Sequence, residues 1–256
     1  GAYAIYKSET VKPYFIDKSN IFEDLFPLVE SGNNYICITR PRRFGKTIMA
    51  NMISAFFSDA CDSEDIFLRL NVSKLESYRK YLNQCRVIHI SFNEVPRRCT
   101  TYEDYIERIE KRLIDDLKEE YPDFALDEEE AVWDILSAIY AKNDAKKFLF
   151  VLDEWDFIFH RDFVTEQNKR EYITFLSNLL KDKPYVSLTY MTGILPIAKY
   201  SSGSELNMFL EYTMASEEKF SDYFGFTETE VDLLYARYRE KTVNAKVTRQ
   251  GLKMWY

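Results

Sequence analysis

The sequence predicts an α/β fold in which a mostly parallel sheet is flanked by helices. Four short apolar runs read as strands, and their hydrophobicity is continuous rather than alternating, which is typical of strands buried on both faces. Helical patterns separate the runs, and this alternation predicts a doubly wound sheet. The chain has 256 residues, 46% of them hydrophobic, so it can bury a full core. The predicted strands are Tyr35–Thr39, Val87–Phe92, Phe148–Leu152 and Val186–Thr192.

The predicted helices carry apolar residues three or four positions apart. In the longest of them, apolar or aromatic residues recur at every fourth position from Tyr105 to Leu117, and charged residues fill the rest. Thr101 precedes this helix and is expected to cap it. The predicted helices are Lys46–Phe57, Tyr102–Tyr121, Glu128–Ala141 and Glu171–Leu180.

After about Leu210 the alternation ends, and the segment Ser216–Tyr256 is predicted to be helical throughout. Thr227 and Glu230 have the spacing of a capping box in front of an apolar run. We therefore predict two parts, an α/β core over residues 1–212 and a small helical subdomain over residues 213–256. The subdomain ends on two aromatic residues without a polar tail, so we expect it to be cut from a longer protein.

Composition argues against several classes of protein. Gly193 and Gly203 are the closest pair among the seven glycines, so a G-x-G-x-x-G loop is excluded. The net charge of −8 argues against a protein that coats nucleic acid, because neutralising phosphates needs a basic surface. No apolar segment reaches the 18 residues expected of a membrane span, and the N-terminus lacks a signal-peptide core. We expect a cytoplasmic protein with no membrane partner.

The strongest motif joins the first predicted strand to a helix. Gly45, Lys46 and Thr47 follow the loop after that strand and open the helix. In a P-loop, such a glycine lets backbone N–H groups approach phosphate oxygens, the lysine places its charge on the β- and γ-phosphates, and the threonine hydroxyl binds Mg²⁺. The helix N-terminus adds further free N–H groups and its dipole. The strict motif begins with glycine where this chain has Arg40, so the P-loop is degenerate.

A second motif is the apolar run Phe148–Leu152, which ends in Asp153 and Glu154. At the carboxyl end of a strand, Asp153 is expected to hold Mg²⁺ through water or together with Thr47. Glu154 is expected to orient and polarise the attacking water as a general base. The alternative is a buried strand that simply meets solvent at two acidic residues. Both motifs belong at the carboxyl edge of one sheet, where ligands bind in this architecture.

The order of the predicted strands indicates one type of P-loop NTPase. The strand Val87–Phe92 lies between the two motifs, and Glu154 follows Asp153. This combination indicates the additional-strand, catalytic-glutamate type, which has a polar sensor at the end of the next strand. Thr192 has that position. The alternative is an ordinary threonine at a strand end, before a glycine turn.

Several segments resemble the AAA-ATPase-like family of bacteria and archaea, and the resemblance covers essentially the whole chain. It implies ATP binding and hydrolysis, with ATP and Mg²⁺ as cofactors. The first P-loop glycine is usually absent in this family, so Arg40 fits it, whereas Trp155 stands where tyrosine is commoner. Family members typically continue into a PD-(D/E)XK nuclease-like domain; we find no match to its core motif in these residues and expect such a domain in the full-length protein. The resembling segments are Tyr14–Ser19, Arg40–Thr47, Leu152–Asp156, Thr192–Lys199 and Tyr223–Thr227.

The motifs and the resemblance together define a set of candidate site residues. For catalysis we predict Glu154, Lys46, Thr192 and Arg43. For the metal we predict Thr47 and Asp153. For nucleotide binding we predict Arg40, Pro41, Arg42, Arg43, Phe44, Gly45, Lys46, Thr47 and Ile48.

The arginines of the loop allow three interpretations. Arg42 or Arg43 can stabilise charge on the γ-phosphate, in its own subunit or in a neighbouring one. They can instead contact a nucleic-acid backbone, or form a solvated loop with ion pairs to nearby acidic groups.

The leading hypothesis is an ATPase whose nucleotide state moves the helical tail and signals to a C-terminal effector. One alternative is a nucleotide-gated switch that turns over slowly and recruits a partner. Another is an ATP-dependent, DNA-associated module of a defence or mobile-element system. A homo-oligomer is compatible with each of these hypotheses.

Overall fold

The computed structural model describes residues 1–32, 34–124, 129–201, 203–214, 219–242 and 246–253. Within them a five-stranded sheet has the order β2-β3-β4-β1-β5, and every pairing is parallel. The four predicted strands are confirmed. The fifth strand was missed because it has three residues and only one of them, Tyr212, is buried. The strands are β1 (Asn34–Thr39), β2 (Arg86–Ser91), β3 (Phe148–Asp153), β4 (Val186–Gly193) and β5 (Leu210–Tyr212).

Helices flank the sheet and connect its strands. The α-helices are α1 (Ala2–Thr10), α2 (Ile21–Ser31), α3 (Lys46–Phe57), α4 (Glu64–Phe67), α5 (Tyr78–Tyr81), α6 (Tyr102–Glu120), α7 (Val132–Lys142), α8 (Glu166–Leu180), α9 (Glu228–Lys241) and α10 (Arg249–Lys253). Short 3₁₀ turns cover Asn71–Lys74, Phe157–His160, Ile197–Lys199 and Ser221–Tyr223.

Capping explains where the predicted helices begin. Thr101 caps α6 as expected, in a capping box with Asp104. Helix α8 begins earlier than the predicted Glu171 because Thr165 and Asn168 form a second capping box. Helix α7 begins at Val132, and the predicted start at residue 128 lies outside the described residues.

The core has two apolar layers, one on each face of the sheet. Phe148, Phe150 and Leu152 of β3 enter the layer formed with α6, α7 and α8. Leu149 and Val151 of the same strand enter the layer formed with α1, α2 and α3. Because successive side chains of a strand point to opposite faces, a strand covered on both sides is apolar at every position.

Because the strands are parallel, the carboxyl ends of β1 to β4 lie at the same edge of the sheet. Thr39 at the end of β1 lies beside Gly193 of β4, and Ser91 at the end of β2 lies beside Asp153 of β3. The loop after β1 and the acidic residues after β3 therefore share the carboxyl edge of the sheet.

The residues after β5 contain helices and turns and, within the described ranges, no further strand. Thr227 and Glu230 form the predicted capping box of α9. This tail contacts the core through Glu230, whose Oε2 is 2.6 Å from Lys18 Nζ, and through Arg237, which donates to the Phe15 carbonyl at 2.7 Å. None of the helices in the described part of the chain has the length and apolar character needed to cross a membrane.

Candidate functional site

The loop between β1 and α3 makes a tight turn into the helix. Gly45 has φ +83° and Arg43 has φ +71°, so two residues adopt the left-handed conformation. A Cβ on Gly45 would meet no atom within 4 Å, which means that the backbone conformation rather than space favours glycine there. The turn leaves the first N–H groups of α3 at the carboxyl edge of the sheet, where they can bind an anion.

Lys46 is buried beneath this turn. Its Nζ donates hydrogen bonds to the carbonyls of Arg40 at 2.8 Å and Pro41 at 3.0 Å. Burial lowers the pKa of Lys46, and the carboxylates of Glu154 and Asp153 oppose this effect. The ammonium is therefore held at the loop, facing the acidic end of β3.

Asp153 offers an oxygen to a cation. Its Oδ1 accepts a hydrogen bond of 2.6 Å from the Thr192 hydroxyl, whereas its Oδ2 is buried and has no hydrogen-bond partner. The Thr47 hydroxyl, which is exposed, has no partner among the described residues, and both Thr47 and Asp153 line one cavity of about 1010 Å³. Hydroxyl and carboxylate oxygens are the donors that Mg²⁺ prefers. No set of three His, Cys, Asp or Glu side chains in the described part of the chain could hold a metal ion.

Thr192 connects the ends of β3 and β4. The hydroxyl that donates to Asp153 also accepts the Glu154 N–H at 3.1 Å. Glu154 has φ +54°, an unfavourable conformation for a residue with a side chain. The threonine thus connects both acidic residues, and its predicted sensor role stays a prediction.

Asn93 is a residue that the sequence reasoning missed. Its Nδ2 donates to Glu154 Oε2 at 3.0 Å, and its Oδ1 accepts from the Ser91 hydroxyl at 3.1 Å. The signal was available, because Asn93 follows the predicted strand that ends at Phe92, at the same sheet edge as Glu154. The amide holds the carboxylate that is the candidate general base.

Arg40 is placed differently from the other loop residues. Its guanidinium is buried, donates to the carbonyls of Thr39 and Tyr212 at 2.8 Å, and lies 5.4 Å from the centre of the Phe224 ring. Its N–H donates to the Gly193 carbonyl at 3.1 Å. These contacts anchor the loop to β4, β5 and the tail, and the predicted ligand role of Arg40 stays a prediction.

The remaining loop residues lie at the surface or face the tail. Pro41, Arg42 and Arg43 are exposed, as is Ile48 on the first turn of α3. Phe44 is half-buried, and its carbonyl accepts the N–H of Gly225 at 3.2 Å.

Glu154 also lines a second, smaller cavity of about 150 Å³. Arg42 and Arg161 bring positive charge to it, and Asp156 lines it as well. Arg42 is thus the loop arginine that shares a cavity with the candidate base, although Arg43 is the one predicted for catalysis.

Trp155 and Asp156 hold the turn after β4. Asp156 Oδ2 accepts the N–H groups of Ile194 at 2.9 Å and Leu195 at 3.1 Å. A Cβ on Gly193 would lie 2.5 Å from Trp155 Nε1, so only glycine fits there. The buried indole therefore packs directly against the backbone at the end of β4.

A family model described as "Predicted AAA-ATPase" matches residues 6–202 of the chain. No curated protein and no solved structure matches it. The match includes the loop after β1, the acidic residues after β3 and the end of β4.

Proposed function

Because the match covers more than half of its length, the chain belongs to this predicted AAA-ATPase family, and we propose that it binds and hydrolyses Mg-ATP at the carboxyl edge of the sheet. One observation carries the proposal. The turn that opens α3 shares its sheet edge with Asp153, whose Oδ2 is buried and unpartnered, and with Glu154. The residues that we propose as phosphate-binding loop, metal ligand and general base therefore lie at one edge of the sheet.

The loop would bind the phosphates. N–H groups at the start of α3 offer hydrogen bonds, and the helix dipole adds positive potential. Lys46 adds a fixed charge, and Arg43 or Arg42 can reach developing charge from the exposed side of the loop. The sheet order supports the additional-strand, catalytic-glutamate type, because β4 lies between β1 and β3.

Thr47 and Asp153 are the residues that would hold Mg²⁺. When bound, the ion neutralises phosphate charge. Asp153 Oδ2 would be the metal ligand, because Oδ1 accepts the hydrogen bond from Thr192 and Oδ2 has no partner in the part of the chain that the structure describes.

Glu154 would take the proton of the attacking water. Its Oε2 accepts a hydrogen bond from Asn93, which restrains the carboxylate, so exchanging this bond for one to water would favour hydrolysis. The same contact favours a second candidate function, a nucleotide switch that turns over slowly.

Contacts between the loop and the tail support coupling of the tail to nucleotide binding. Phe44 accepts a hydrogen bond from Gly225, and Arg40 joins the loop to Phe224 and Tyr212. A loop that closes on phosphate would shift these contacts and transmit the change to the tail and to an effector attached to it.

Calorimetric titration with Mg-ATP and steady-state phosphate release test the proposal. Lys46→Ala should weaken ATP binding at least about tenfold, and Glu154→Gln should keep binding but lose phosphate release. Glu94→Gln, an exposed neighbour with the same chemical change, should keep both. Unchanged ATP affinity in Lys46→Ala would refute the nucleotide site, and tight binding without release by the unmodified protein would favour the slow switch.

A further inference from the structure

The cavity of about 1010 Å³ that Thr47 and Asp153 line is a groove that continues along β2. We call it the β2 groove. Helix α3 forms one wall, helix α6 the other and the start of α1 closes one end, with β2 between them. Strand β2 is an edge strand of the sheet, and its outer side faces this groove.

The backbone of β2 is unpaired along the groove. Phe92 N donates to the Asp153 carbonyl, and parallel pairing engages alternate residues, so the even-numbered residues of β2 face β3. Val87, His89 and Ser91 therefore present their N–H and C=O groups outward. Within the described residues, these six groups have no hydrogen-bond partner.

Just before β2, the outer edge of the strand pairs with the chain that follows α3, but this pairing does not continue along β2. Cys85 N donates to the Phe57 carbonyl at 2.7 Å, and Asp59 N donates to the Cys85 carbonyl at 2.9 Å, which makes a parallel bridge with Ser58. The chain then leaves β2. The unpaired positions continue this interrupted ladder for roughly 17 Å, the length of about five extended residues.

The walls of the groove have distinct chemistry. The side chains that α3 contributes are small or polar, namely those of Asn51, Ser54 and Ala55. On α6, Ile109 and Arg108 face the groove. Neighbouring Arg112 forms an ion pair with Glu94 at 3.2 Å, whereas Arg108 has no salt bridge with any described residue.

We propose that the β2 groove binds an extended segment of a partner polypeptide, which pairs with Val87, His89 and Ser91 and places a carboxylate side chain at Arg108. The unpaired backbone selects a polypeptide, because main-chain groups are matched by another main chain. The free guanidinium selects an acidic residue. Ser91 is also the donor to Asn93, so a bound segment contacts the residues that hold Glu154.

Through these residues a bound segment would change the rate of phosphate release; this effect rests on the proposed ATPase function, whereas docking does not. The test is therefore made without nucleotide. The probes are fluorescein-labelled heptapeptides of alternating threonine and valine with a central aspartate, asparagine or lysine. Binding is followed by fluorescence anisotropy, and the site is located by amide hydrogen exchange resolved by NMR.

In the free protein the amides of Val87, His89 and Ser91 should exchange faster than those of Ile88 and Ile90, which donate to β3. The aspartate peptide should protect these three amides, and its N-methylation at alternate residues should abolish protection. The lysine peptide should bind at least about tenfold more weakly.

Two variants of α6 provide a matched comparison. Arg108→Glu should weaken the aspartate peptide about tenfold, whereas Lys111→Glu, an exposed residue outside the groove, should change it less than about twofold. Equal effects of the two variants, or no protection by any peptide up to about 1 mM, would overturn the proposal. If the three amides are already protected in the free protein, the groove is occupied without a separate partner, and the proposal is refuted. Protection that does not depend on protein concentration would mean that a segment of the same chain fills the groove. Protection that increases with concentration would mean that a second copy fills it.

Discussion

Replacing Thr192 with valine removes one hydroxyl and leaves the shape of the side chain nearly unchanged. That hydroxyl donates to Asp153 Oδ1 at 2.6 Å and accepts the Glu154 N–H at 3.1 Å. Thr192 and Asp153 are fully buried, and Asp153 Oδ2 already lacks a partner. The variant therefore leaves a buried carboxyl group without a partner on either oxygen in the protein free of nucleotide.

The expected cost follows from these contacts. A hydrogen bond to a charged group contributes about 1.5–3 kcal/mol, and the abandoned Glu154 N–H adds up to about 1 kcal/mol because that residue is only half-buried. Thr192→Val should thus lower the free energy of unfolding by about 3 kcal/mol. Thr192→Ser is the control, because it keeps the hydroxyl and loses one methyl group, at about 1 kcal/mol.

Urea unfolding monitored by tryptophan fluorescence measures both variants, because Trp155 lies next to the altered site. Phosphate release measured on the folded protein should fall in the valine variant and persist in the serine variant. If Thr192→Val were as stable as Thr192→Ser, the hydroxyl bridge would not hold the acidic residues, and the reasoning would be wrong.

Three further predictions concern the same sheet edge. Asn93→Ala should raise basal phosphate release by up to about tenfold, because it frees Glu154 from a hydrogen bond; an unchanged or lower rate would contradict a restraining role. Arg40→Ala should lower the free energy of unfolding by about 2–3 kcal/mol through loss of buried charge-assisted hydrogen bonds, whereas exposed Arg42→Ala should change it by less than about 0.5 kcal/mol. Gly193→Ala should lower the melting temperature, because its Cβ would lie 2.5 Å from the indole nitrogen of the adjacent tryptophan; an unshifted melting curve would refute this contact.

The parts of the molecule that could be predicted are those encoded locally. The apolar run of β3 and the acidic residues after it are contiguous, and so are β1, the loop and the start of α3. Parallel pairing then brings these segments to one edge without further information. Thr192 could be found for the same reason, since it ends the next strand.

The parts that were missed depend on contacts between distant segments. Arg40 stands in the phosphate loop by sequence, but its side chain is directed to Tyr212 and Phe224, which are far along the chain. The partner of Glu154 is likewise set by the neighbouring β2, and Asn93 has no motif of its own. Strand β5 is too short to show periodicity, so only its pairing with β1 reveals it.

These distant contacts give the candidate nucleotide site two connections to the rest of the molecule. On the β5 side, Arg40 and Phe44 join the loop to the tail. On the β2 side, Glu154 is joined through Asn93 to Ser91, whose backbone is open to the β2 groove. The first connection starts at the loop proposed to bind phosphate, and the second starts at the candidate base. We infer that the tail responds to nucleotide binding, whereas a segment in the β2 groove acts on the rate of hydrolysis.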